Sequence, residues 1–175
     1  MKKIRRRGVV LVGHGGIPTN YPRALLTKLR ALESTRRASG GEPSAEERAL
    51  DRQLRQWPRT SENDPYQAGL EALAAHLKGS LNSDLFAIAY NEFCAPRLED
   101  AVEELLAAGA SEIVVVPSML TPGGSHSEIE IPETLTRLRV KHPGIDLRYA
   151  WPFDLKQVAA MLADQLARFQ HSPSE

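Results

Sequence analysis

The chain has 175 residues, and its 22 lysines and arginines balance 22 aspartates and glutamates, so no net charge draws it to nucleic acid or to an anionic membrane surface. Apolar residues make up 42% and charged residues 25%, the mix of a globular protein, and residues 1–175 are expected to form one domain. The single cysteine, Cys94, excludes an internal disulfide and any Cys-x-x-Cys zinc site.

The basic start, Met1-Lys2-Lys3-Ile4-Arg5-Arg6-Arg7, has the charge of a secretion signal, but the apolar run after it, Gly8–Val12, is too short for one. No stretch approaches the roughly 20 apolar residues of a membrane span, and the expected location is the cytoplasm. Gly8–Val12 is continuous and β-branched and stops at Gly13, the pattern of a strand buried on both faces. The crossover after it is unusually long, for a connection of roughly a dozen residues would serve. Residues 18–80 therefore read as a helical insertion within it, either a surface excursion or a lid over a site. Its pattern predicts a helix near Arg23–Glu33, a break at Ala38–Pro43, a helix near Ser44–Trp57 opened by the capping box Ser44-x-x-Glu47, and a helix over Tyr66–Leu77.

Asp84–Tyr90 is the second predicted strand. Pro96 suits the first position of a helix carrying Leu98, Val102 and Leu105 and ending at Gly109. Glu112–Val116 is the third strand, followed by a helix with Ile131, Leu135 and Leu138. Ile145–Ala150 is the fourth, and Leu155, Val158, Leu162 and Leu166 mark a last amphipathic helix. This alternation predicts an α/β fold, a parallel sheet of about four strands with right-handed crossovers and helices on both faces.

In open parallel sheets ligands bind beyond the carboxyl ends of the strands. The first strand is followed by Gly13-His14-Gly15-Gly16, the second by Asn91-Glu92-Phe93, and the third by a loop that ends in Gly124-Ser125-His126. His14, Glu92 and His126 thus converge on one edge. Two imidazoles and a carboxylate suit Co²⁺, Ni²⁺, Fe²⁺ or Zn²⁺ far better than Mg²⁺ or Ca²⁺. They equally suit proton transfer near neutral pH, and the residues alone leave both chemistries open.

Three segments carry a resemblance. Val12-Gly13-His14-Gly15, Asn91-Glu92-Phe93-Cys94-Ala95-Pro96 and Gly124-Ser125-His126-Ser127-Glu128-Ile129-Glu130-Ile131-Pro132 are similar to motifs of the class II tetrapyrrole chelatases, the sirohydrochlorin cobaltochelatase and ferrochelatase family. Glu130 stands where that family has aspartate. The resemblance implies a chelatase-like domain that inserts a divalent metal (Co²⁺, with Fe²⁺ or Ni²⁺ as alternatives) into sirohydrochlorin or a related tetrapyrrole without ATP. It implies that His14 and His126 hold the incoming metal and accept pyrrole protons, with Glu92 as the carboxylate participant. Gly15, Gly124, Ser125, Glu130 and Trp151 are the implied substrate contacts, and a homodimer would supply the opposite wall of the cleft. The chain departs from the family in Gly16-Ile17-Pro18, where a serine and a basic residue are usual, and in the long insertion.

Other readings stand beside these. Ser127-x-x-Glu130 is itself a capping box, so Glu130 reads first as a helix cap. Cys94 reads as a small buried hydrophobe, and Trp57 would reach a flat ring only if the insertion folds over it. A non-catalytic metal or tetrapyrrole carrier on the same scaffold is the alternative function. A phosphohistidine phosphatase is set aside because position 13 is glycine where such a site needs arginine, and no Walker-type Gly-x-x-x-x-Gly-Lys binds a nucleotide.

Overall fold

The structure, a computed structural model, describes residues 6–81 and 85–169. Four parallel strands, β1 (Arg7–Gly13), β2 (Leu85–Tyr90), β3 (Glu112–Pro117) and β4 (Asp146–Tyr149), form one sheet in the order β2-β1-β3-β4. The start of the second predicted strand, Asp84, lies outside the described residues. β1 is central, and Val9 through Gly13 are all buried, as its continuous apolar run requires.

The period-two alternation of the strands divides the core between the two faces. Val10, Val12, Ile113 and Val115 pack under α4 (Leu98–Ala107) and α5 (Ile131–Lys141), against Ala101, Val102, Leu105, Leu135 and Leu138. Leu11 faces the other way and packs with Leu70 and Ala74 of α3 (Pro65–Gly79). Helices therefore cover both faces of the sheet, as expected.

Between β1 and α3 lie α1 (Arg23–Ser39) and α2 (Ala45–Arg55), which build a cluster of their own from Tyr21, Leu29, Leu50 and Leu54. The α1 helix runs six residues beyond the expected Glu33 and ends where Gly40 turns left-handed at φ 70°. Ser44 caps α2 by accepting the Glu47 N–H at 3.0 Å, while the Glu47 carboxylate is buried and accepts from Arg36 Nε at 2.7 Å. Trp57 belongs to this cluster: its ring stands edge-on to Tyr21 at 5.0 Å and its indole N–H donates to Asn20.

Two further expectations are corrected. Pro96 does not open α4; it follows a cis peptide bond, its carbonyl accepts the Tyr90 N–H at 2.9 Å, and the helix begins at Leu98, where the Asp100 carboxylate accepts the Arg97 N–H. Ser127-x-x-Glu130 is not a capping box, because Ser127 is buried inside a π-helical turn, His126–Glu130, that runs without a break into α5. The last helix, α6 (Leu155–Phe169), has the expected amphipathic pattern, yet none of its residues is buried and Leu155, Met161, Leu162, Leu166 and Phe169 are all exposed. Among the described residues no helix is long and apolar enough to cross a membrane.

Candidate metal centre

Each candidate ligand leaves the carboxyl end of a different strand, and backbone hydrogen bonds prolong the sheet pairing into the loops. Asn91 N–H donates to the Gly13 carbonyl at 2.9 Å, Glu92 N–H to the His14 carbonyl at 2.7 Å, and Ser118 N–H to the Val12 carbonyl at 2.8 Å. The first two loops come so close that a Cβ on Gly15 would lie 1.9 Å from the Glu92 carbonyl oxygen, and Gly15 also takes φ 101°, so only glycine fits. Gly15 is thus a requirement of the turn that exposes His14.

The ligand atoms of His14, Glu92 and His126 all lie within 4.8 Å of one another, and theirs is the only set of three or more such residues this close among the described residues. The imidazoles of His14 and His126 stand 4.7 Å apart at 75°, and His14 Nε2 is 3.9 Å from Glu92 Oε2. His14 is held through its backbone, whose N–H donates to Tyr66 Oη at 2.7 Å, and through Nδ1, 2.9 Å from the Gly15 carbonyl. Its side chain keeps 42% of its surface exposed, against 27% for Glu92 and 18% for His126. His126 Nδ1 lies 3.0 Å from Glu130 Oε1, and Asn91 Nδ2 donates to Glu130 Oε2 at 2.8 Å. Glu130 therefore meets the site through His126; it is neither the helix cap that its spacing suggested nor a member of the clustered ligand set.

The remaining expected contacts scatter along the rim. Gly124 and Ser125 are exposed, and the Gly124 carbonyl accepts the Glu128 N–H. Trp151 stacks on Tyr149 at 6.3 Å and donates from its indole to Glu128, while Tyr149 Oη donates to the Ser127 carbonyl at 3.0 Å, so this aromatic pair flanks the His126 turn. Cys94 is fully buried and its thiol is pushed up to about 11, chiefly by burial. It is a packed hydrophobe and not a thiolate.

Sequence reasoning missed how the loops are held. Arg55, at the end of α2, donates to the Cys94 and Asn91 carbonyls at 2.9 and 3.3 Å. Arg59, only 6% exposed, pairs with the buried Asp64 carboxylate and donates to the carbonyls of Gly16 and Phe93. Phe93 is the one described non-glycine residue with positive φ, at 56°, so the guanidinium holds a strained turn between Glu92 and Cys94. Two arginines of the segment read as an excursion or a lid are thus hydrogen-bonded to the loops that carry His14 and Glu92. No sequence signal marks Arg59, since its partners lie on three separate segments.

A cavity of about 420 Å³ adjoins the site between α1, α2, α4 and α5, and Asn91 and Glu130 line it together with Arg36, Arg48, Arg97 and Arg137. Arg36 pairs with Glu47, Arg97 with Asp51 and Arg137 with Glu99. Glu33 of α1 also lines it, and burial lifts its carboxyl above the usual range, with Arg37 opposing and Glu47, Asp51 and Glu92 adding to the rise.

The model of the CbiX family matches residues 59–168. The chain is 34% identical over 68 residues to the sirohydrochlorin cobaltochelatase of Priestia megaterium (39% of this chain, 22% of that one), and 24% identical over 86 residues to the sirohydrochlorin ferrochelatase of the same organism (49% and 32%). It thus matches less than a third of the length of either relative. Among solved structures it is similar to the sirohydrochlorin chelatase SirB of Bacillus subtilis subspecies spizizenii in complex with cobalt, with a TM-score of 0.53 and 20% identity over 84% of this chain and 43% of that one. It is also similar to a CbiX protein of Marinobacter aquaeolei VT8, with a TM-score of 0.56 and 19% identity over 95% of this chain and 99% of that one.

Proposed function

The chain belongs to the CbiX family, a family of class II tetrapyrrole chelatases, and on that premise we propose that it inserts a divalent metal into sirohydrochlorin or a closely related ring. The observation that carries the reading is the convergence of His14, Glu92 and His126 from three strand ends onto one exposed edge. In the reaction the metal is a substrate. Two ring N–H bonds break, the nitrogens' electron pairs form bonds to the metal, and two protons leave. A site on one face of the ring must therefore hold the metal loosely and take protons, and imidazole and carboxylate do both near neutral pH. His14 and His126 are assigned to both tasks and Glu92 to the carboxylate role. No step consumes a nucleotide.

Co²⁺ is the metal we assign first, supported by the greater identity to a cobaltochelatase than to a ferrochelatase; Fe²⁺ and Ni²⁺ fit the same donors. The test is anaerobic absorbance of sirohydrochlorin mixed with Co²⁺, with and without protein, because insertion also proceeds spontaneously. A rate above buffer is expected. A shifted spectrum with no acceleration would replace the chelatase with a carrier, and neither would dismiss the tetrapyrrole.

The working unit is proposed to be a homodimer. The uncovered apolar face of α6 supports a second copy completing the cleft. Analytical ultracentrifugation is expected to find twice the 19.3 kDa chain mass, and the double substitution Leu162→Glu, Leu166→Glu to return it to a monomer. A wild-type monomer at micromolar concentration would end the proposal.

A further inference from the structure

We propose that Glu130 and Asn91 are positioning residues that make His126 the fixed anchor for the metal, leaving His14 as the ligand free to shift during transfer. The inference rests on the metal-site reading above and asks how two chemically identical ligands divide the work.

Their surroundings differ. His126 is bracketed: Nδ1 lies 3.0 Å from Glu130 Oε1 and 2.6 Å from Asn91 Nδ2, and the same Asn91 nitrogen donates to Glu130 Oε2 at 2.8 Å. The π-helical turn sets residues 126 and 130 side by side, and the turn is itself anchored by the buried Ser127, whose carbonyl accepts from Tyr149 Oη. With the Nδ1 proton donated to Glu130 Oε1, Nε2 is the unprotonated nitrogen left to meet a metal, and the carboxylate beyond the ring makes it the stronger donor; Asn91, whose Nδ2 donates to Glu130 Oε2, acts by orienting that carboxylate. His14, in contrast, has only the carbonyl of its neighbour Gly15 at Nδ1, and more than twice the exposure of His126. Glu130 is not itself within the set of clustered ligand atoms, which comprises His14, Glu92 and His126. Its two oxygens are directed at the ring and at Asn91.

The test is Co²⁺ binding without any ring, read by calorimetry and by the visible ligand-field bands. Glu130→Gln is expected to weaken Co²⁺ binding by about 10–100-fold with the band shape unchanged at saturation, and Glu130→Asp to recover part of the loss. Asn91→Ala is expected to act in the same direction. His126→Ala should cost more affinity than His14→Ala. Far-UV circular dichroism checks folding, and because the Glu130 side chain is 44% exposed its variants should remain folded. Unchanged affinity in Glu130→Gln, a changed band shape marking Glu130 as a ligand, or equal losses from the two histidines would each overturn the inference while leaving the metal site standing. A wild-type chain that binds no Co²⁺ would overturn the metal site and this inference together.

Discussion

Replacing Arg59 with alanine is expected to lower the folding stability by about 3–5 kcal/mol, read as a reduced urea midpoint with an unchanged slope. The pair it forms with Asp64 is almost completely shielded, with 6% and 2% of the side chains exposed, so removing the guanidinium strands a buried carboxylate. It also leaves the Gly16 and Phe93 carbonyls, and more weakly that of Leu54, without their donor. Asp64 is doubly committed, since its other oxygen accepts the Gln67 N–H and caps α3. Arg59→Lys should recover little, because an ammonium cannot reach these acceptors with one planar fork. The loops that carry His14 and Glu92 are tied through the same guanidinium, so Co²⁺ affinity should fall along with stability. A loss below about 1 kcal/mol would mean that the network is relieved by water and that Arg59 does not hold the loops of the site.

The second large effect is expected at the cluster itself. His14→Ala, His126→Ala and Glu92→Gln should each reduce the protein-dependent rate of metal insertion by roughly 10²–10⁴-fold, the range for a positioned acid–base group. Their melting midpoints should stay near wild type, since all three side chains are partly exposed and none is a core residue. His76→Ala is the control, because this histidine is exposed on α3 and should change nothing. The effects should not add, for a metal held by two of three ligands has already lost its geometry. Retained acceleration in either histidine variant would remove that residue from the chemistry, and retained acceleration in all three would move the active centre elsewhere.

The legible part of this chain was local. Val9–Val12 and Ile113–Val116 are continuous apolar runs that read as buried strands, and Leu98, Val102 and Leu105 repeat at helical spacing. Because ligand sites gather at the carboxyl ends of parallel strands, the residues after the first two runs and the loop after the third were enough to expect His14, Glu92 and His126 at one edge. The errors came where a short motif fitted two structures. Ser127-x-x-Glu130 has the spacing of a cap, but Tyr149 from the far edge strand holds the Ser127 carbonyl, and the segment closes as a wide helical turn. Pro96 has the look of a helix start, but its carbonyl is needed by Tyr90.

Strand identity, the parallel sheet and the convergence of His14, Glu92 and His126 on one edge were thus legible in the sequence alone, since hydrophobic period and crossover connections are set by the chain's own covalent geometry. Tertiary structure alone decided that β1 sits between β2 and β3, that Glu130 serves His126, that Arg59 joins the first two loops to α3, and that the apolar face of α6 stays uncovered. Those outcomes depend on which distant groups reach one another once the core has packed, and side-chain partners separated by tens of residues leave no periodic trace in the chain.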